Sequence, residues 1–140
     1  MENNYVARSI SKLSNYLRRR LDRVTVGHMF TGAEARLLRF ILLNQQSPLC
    51  QRDIEEEYAM RAASVSQLLA RMEREGLIQR QSDENDSRMK RIYASESAIL
   101  YADKVTEEID QIEADLTKGI SAEDLRVFQE VVDKMLSNLA

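Results

Sequence analysis

The sequence predicts a mainly α fold with a small β-hairpin wing, that is, a winged helix-turn-helix flanked by N- and C-terminal dimerisation helices. Three observations lead to it. Residues 49–94, LCQRDIEEEYAMRAASVSQLLARMEREGLIQRQSDENDSRMKRIYA, read as two short helices followed by a charged hairpin. Long apolar stripes at helical spacing lie on both sides of that stretch. One proline and four glycines among 140 residues leave little room for loops.

The elements follow in order. Val6, Ile10, Leu13, Leu17, Leu21 and Val24 recur every three or four positions, so residues 5–24 form an amphipathic helix. Its polar side carries Arg18, Arg19, Arg20 and Arg23, which read as a solvated face. Thr31 with Glu34 three positions on is a capping-box pattern, and Leu37, Leu38, Ile41 and Leu42 are the buried side of the helix it starts. A loop over residues 44–48 ends that helix. The next runs from Gln51 to Tyr58, and Ala59, Met60 and Arg61 make a turn of helix-turn-helix length. The second helix of the pair stops at Gly76, the residue that most cheaply adopts a left-handed conformation. Val65, Leu68, Leu69 and Met72 commit one of its faces to the core. The opposite face carries Ala63, Ser64, Gln67, Ala70, Arg71 and Arg74. Residues 77–81 and 90–94 have strand composition, and the acids and turn-formers of 82–87 between them make a hairpin with Arg88 near its tip. A third stripe, Ile99, Ala102, Val105, Ile109, Ile112 and Leu116, ends at Gly119. Ser121 then starts a last helix with apolar positions Leu125, Phe128, Val131, Val132, Met135 and Leu139.

At the hairpin the chain resembles the MarR family of bacterial transcription regulators. That family carries a Leu-x-x-x-Gly-Leu-Ile-x-Arg stretch running into an acidic, arginine-containing wing. Here the matching residues are Met72, Gly76, Leu77, Ile78 and Arg80, followed by Asp83, Asp86 and Arg88. The resemblance extends over nearly the whole chain. One departure is Asn85, where the family's wing usually has a second arginine. The resemblance implies one domain over residues 1–140, with a reading head at 31–94 and dimerisation helices at 1–30 and 95–140. It also implies a small-molecule pocket between them, for which Tyr16, Arg20, His28 and Phe40 are the candidates. The expected occupant is a small aromatic or anionic effector. Cys50 stands where the family usually has a Ser or Thr cap. Redox-sensing cysteines of the family generally lie in the first helix, so Cys50 is read first as a small structural residue. A redox role is its alternative, because a helix N-terminus favours a thiolate.

The net charge of −3 is unevenly spread. Residues 1–30 hold six basic and two acidic side chains and residues 61–94 hold seven and five, whereas residues 95–140 hold four and eleven. A positive reading head with negative C-terminal helices can direct one end of the molecule toward phosphate. No apolar run reaches the roughly 20 residues of a membrane span, so no membrane partner is expected, and the protein is expected in the cytoplasm. One cysteine and one histidine are too few for a structural zinc site, and neither a metal nor another cofactor is expected. There is no Gly-rich phosphate loop or local nucleophile arrangement, so the chain is not read as an enzyme.

The expected partner is double-stranded DNA. Ser64 and Gln67 can reach base edges from the start of the reading helix, with Ala63 permitting close approach. Arg61 and Arg74 suit phosphates, which position the protein without reading sequence, and Arg71 on the same face is a further DNA-binding candidate. Arg88 is the candidate for the minor groove, supported by Asp83 and Asp86, and Lys90 and Arg91 add phosphate contacts from the second strand. The terminal stripes expose more apolar surface than so small a head can cover, which predicts a homodimer, and a two-fold dimer reads an inverted repeat. The expected function is a dimeric transcriptional regulator, a repressor relieved by a small ligand. The alternative is a winged-helix interaction or scaffold module without sequence-specific DNA binding. The acids Asp53, Glu55, Glu56 and Glu57 beside the motif would favour that alternative if they faced the groove.

Overall fold

A computed structural model describes residues 5–23 and 31–140. Seven helices and a two-stranded antiparallel hairpin occur among them, in the order α1 (Val6–Arg23), α2 (Gly32–Leu43), α3 (Gln51–Tyr58), α4 (Ala62–Arg74), β1 (Ile78–Ser82), β2 (Lys90–Ala94), α5 (Glu96–Ile99), α6 (Ala102–Thr117) and α7 (Ala122–Leu139). The mainly α class with a hairpin wing is therefore present. Two compact units can be distinguished, one reaching to Ile109 and one covering Asp110–Ala140.

The first unit holds the core. Leu38, Ile41, Ile54, Val65, Leu69, Met72, Ile78, Ile92 and Val105 are its largest fully buried apolar side chains. Helix α2 packs on α1 and β2, α3 packs on α4 and β2, and α4 packs on β1. Thr31 starts α2 as expected: its hydroxyl accepts the Glu34 N–H at 3.2 Å and the Glu34 carboxylate accepts the Thr31 N–H at 2.8 Å. Gly32 has a role that sequence did not predict. A Cβ there would stand 2.5 Å from the carbonyl carbon and oxygen of Leu21, so the missing side chain is what lets the end of α1 meet the start of α2.

The turn between α3 and α4 begins at Ala59 with φ 51°, the one described non-glycine residue in the left-handed region. Met60 N–H closes that turn on the Glu55 carbonyl at 3.1 Å. Left-handed backbone costs an alanine about 1–2 kcal/mol, and the hydrogen bonds from the Ala59 and Met60 N–H groups to the Glu55 carbonyl help hold it there. Helix α4 ends at Gly76, φ 76°, where Leu77 N–H reaches Met72 O at 2.9 Å and Gly76 N–H reaches Glu73 O at 3.1 Å. These are the two hydrogen bonds of a Schellman ending, and Met72 and Leu77 are both buried beside it.

The hairpin pairs Ile78 with Ala94 through Ser82 with Lys90. Leu49 adds a single bridge to Ile92, whose N–H donates to Leu49 O at 2.8 Å, so the segment before α3 edges the sheet instead of remaining a plain loop. Beyond the hairpin the continuous helix expected from Ile99 is interrupted. Ser95 caps a separate short α5, accepting Ala98 N–H at 3.2 Å and donating to Gly76 O at 2.6 Å. That start turns Ala98 inward, leaving Ile99 exposed and Leu100 84% exposed. Only Val105 and Ile112 of the predicted stripe are fully buried.

In α1, Leu21 is buried, while Val6, Ile10, Leu13 and Tyr16 are about half exposed. Val24, the last position of the expected stripe, lies outside the described residues. In the second unit Ser121 caps α7 through Asp124 N–H at 3.1 Å. No residue of α7 is buried, and Val127, Phe128, Val131, Leu136 and Leu139 are exposed. Among the described residues no helix is long and apolar enough to cross a membrane.

Candidate nucleic-acid interface

Helix α4 has two unlike faces. Val65, Leu69 and Met72 are completely buried and Leu68 is half-buried, so the helix cannot rotate without opening the core. On the other face Ala63, Ser64, Gln67 and Arg74 are exposed, as is Arg61 at the N-cap. The small and hydrogen-bonding side chains occupy the N-terminal half, which permits close approach to another surface there. Arg71 is placed differently. Its Nε lies 3.8 Å from the carboxylate of buried Glu34 and is itself sealed from solvent.

The wing is held by its own acids. Arg88, with its side chain 92% exposed, is tethered at 3.3 Å to Asp86, which also accepts the Arg88 backbone N–H at 3.0 Å. Arg91 is built into the base of the hairpin, 3.5 Å from Asp83 and donating to the Pro48 carbonyl at 3.0 Å. Lys90 is exposed between them. Asp83 and Asp86 therefore each restrain one wing arginine, and Arg91 is more a structural tie than a free cation.

Two further cations were not among the DNA-binding candidates read from sequence. Arg52, in the first turn of α3, and Arg80 on β1 line a cleft of about 410 Å³ together with Arg88, Lys90, Asp86 and Cys50. Four cations face one acid there, giving a positively charged recess beside the wing. Arg80 is partly spent on Glu73, with hydrogen bonds of 3.0 and 3.4 Å that hold the Glu73 carboxyl below the usual carboxylate range. Position within the Gly-Leu-Ile-x-Arg stretch was the one available signal for Arg80. Arg52 had none, because its neighbours in space come from the hairpin.

The acids of α3 are mostly engaged locally. Asp53 accepts the Cys50 N–H at 2.9 Å, Glu55 accepts from Gln51 at 3.2 Å, and Glu56 pairs with Arg52 at 3.3 Å. The Cys50 thiol also points to Asp53, at 3.3 Å, so the cysteine sits at the cap with a carboxylate partner.

The candidate pocket residues have separate neighbours. Phe40 meets the edge of Tyr58 at 5.6 Å and joins α2 to α3, and burial pushes the Tyr58 hydroxyl up from its ordinary value. Tyr16 is exposed, with the Arg19 guanidinium 4.7 Å over its ring. Arg20 is half-buried, and His28 lies outside the described residues.

Comparison with known proteins follows the same lines. Residues 30–89 match the MarR family model. The chain is 26% identical over 125 residues to the HTH-type transcriptional regulator YwhA of Bacillus subtilis strain 168, covering 88% of each. Among solved structures it is similar to an S. aureus MepR–DNA complex, with 28% identity, 98% of this chain and 99% of that one covered, and a TM-score of 0.84. It also shares its fold with the regulator MarR from Oenococcus oeni PSU-1, at 23% identity and a TM-score of 0.88 over 94% of this chain and 98% of that one.

Proposed function

We propose that this chain, whose residues 30–89 match the MarR family model, is a transcription regulator of that family and acts as a homodimeric repressor reading a pseudo-palindromic operator in double-stranded DNA. The observation that carries this reading is the division of α4, with one face locked in the core and the other presenting Ser64 and Gln67 between exposed Arg61 and Arg74. Side chains with paired donors and acceptors suit base edges, and the flanking arginines suit phosphates. The similarity to a MepR–DNA complex supports DNA as the partner. The bare apolar stripes of α1 and α7 support a second copy as their cover, and two reading helices related by a two-fold axis require two half-sites. Release by a small aromatic or anionic effector is carried by family likeness.

Selection of bound fragments from random DNA at stated salt tests this. Enrichment of an inverted repeat is the expected result. No enrichment at any salt would transfer the chain to protein-binding scaffolds, with α4 as the docking face.

The wing makes a separate prediction. With Asn85 in place of a second arginine, minor-groove reading rests on Arg88. Arg88→Ala should lose most discrimination between operators whose flanks differ in A/T content, because a narrow A/T minor groove concentrates the negative potential that attracts arginine. Asn85→Arg should raise affinity by releasing one more counterion. Equal flank ratios for Arg88→Ala and the parent protein would reduce Arg88 to a partner of Asp86.

A further inference from the structure

The cleft of about 410 Å³ beside the wing is lined by the start of α3 and by the hairpin. Gln51, one of its lining residues, donates to the Ala62 carbonyl at 3.2 Å, so the cleft adjoins the first turn of α4. Arg88, another lining residue, belongs to the wing. The cleft therefore lies between the start of the reading helix and the wing arginine. A duplex that takes α4 in its major groove and Arg88 in the adjacent minor groove has one sugar–phosphate strand between those grooves. That strand must cross the cleft.

The lining suits such a strand. Arg52, Arg80, Arg88 and Lys90 contribute four cations, and the one acid among them, Asp86, is already engaged by Arg88 at 3.3 Å. Arg52 is the cation most easily turned to a ligand. Its side chain is 84% exposed, and its partner Glu56, at 3.3 Å, is 69% exposed. Ion pairs so open to water and salt hold weakly, so a phosphate can replace the carboxylate. Arg80 is only 25% exposed and keeps hydrogen bonds of 3.0 and 3.4 Å to Glu73, so it stays in place as a fixed charge. The first N–H groups of α3 add the partial positive charge of a helix start.

We propose that this cleft seats one backbone phosphate of the strand running between the groove read by α4 and the groove reached by the wing, with Arg52 as its direct ligand. The seat rests on the reading of α4 as the DNA helix. A phosphodiester presents two free oxygens, which match the paired N–H groups of a guanidinium. Lys90 lines the hairpin side, and Arg80 with the helix start supplies a standing positive field. The contact carries no base information, so Arg52 fixes the register of the duplex between α4 and the wing. Its role differs from the flank reading assigned to Arg88.

Two measurements on the full-length protein test the seat. The first is the slope of log Kd against log salt on a selected duplex. Arg52→Ala should lower it by about one per protomer, weaken all sequences alike and leave the melting temperature unchanged, while Arg52→Lys should keep the parent slope. The second uses Cys50, which is half-buried, lines the cleft and is the only cysteine in the chain. Saturating duplex should slow its alkylation by iodoacetamide several-fold. Inorganic phosphate at millimolar concentration and matched ionic strength should not, because a diester is held in place by its neighbours on the strand and a free ion is not. The parent slope in Arg52→Ala, or one alkylation rate with and without bound duplex, would overturn the seat while leaving α4 as the reading helix. Protection by phosphate equal to that by duplex would overturn the backbone assignment and make the cleft a site for free anions. If the parent binds no duplex at any salt, the reading of α4 fails and the seat fails with it.

Discussion

A chain truncated after residue 124 should aggregate or fail to accumulate, and should not run as a monodisperse monomer at micromolar concentration. The expectation follows from the surface the helices leave bare. Phe128, Val131 and Leu139 are exposed along α7, and Val6, Ile10 and Leu13 along α1, at spacings that place each set on one side of its helix. Burying a side chain of this kind contributes about 1.5–3 kcal/mol, so a second copy covering both stripes supplies an amount comparable to the whole stability of a domain this size. Truncation removes the α7 stripe from any such interface, and an uncovered α1 stripe is a site for nonspecific association. Sedimentation of the full and truncated proteins checks it. A folded, monodisperse monomer of either one would remove the dimer, and with it the expectation of an inverted-repeat operator.

The second large effect separates reading from positioning on α4. Gln67→Ala should cost about 1–3 kcal/mol on the selected site and relax preference at one base pair per half-site, because a side-chain amide can satisfy the paired donor and acceptor of an adenine edge. Arg74→Ala should weaken all sequences alike and lower the salt slope by about one per protomer, since a phosphate contact carries no sequence information. Both residues are exposed and neither touches the core, so binding can be compared without a folding defect. Uniform weakening by Gln67→Ala would mean that another part of the helix lies against the bases.

These predictions concern residues whose exposure sequence anticipated. The bounds of α3, the cap at Thr31 and the stop at Gly76 were all legible, because each depends on side chains within four positions of one another. Periodicity likewise named Val65, Leu69 and Met72 as core, and it left Ser64, Gln67 and Arg74 outward. It grouped Arg71 with them, however, since helical angle alone cannot register an acid on another helix. Ile99 was assigned to a buried stripe for a similar reason: the cap at Ser95 and its hydrogen bond to Gly76 O shift the phase of the helix before the stripe begins. Arg91 looked like a free cation until the fold brought the Pro48 carbonyl to it.

By itself the sequence determined the class of fold, the order of its elements, the helix with one buried and one polar face and the likeness of the wing to one family, because periodicity, capping and turn chemistry act over a few residues. Tertiary structure alone decided which polar groups are spent. It buried Glu34 against Arg71, let α1 close on Gly32, drew Leu49 to the sheet beside Ile92, and gathered Arg52, Arg80, Arg88 and Lys90 around one cleft. Each of these joins residues far apart in the chain, and whether a charge is free for a ligand or already paired depends on the dielectric and the partners that only folding places around it.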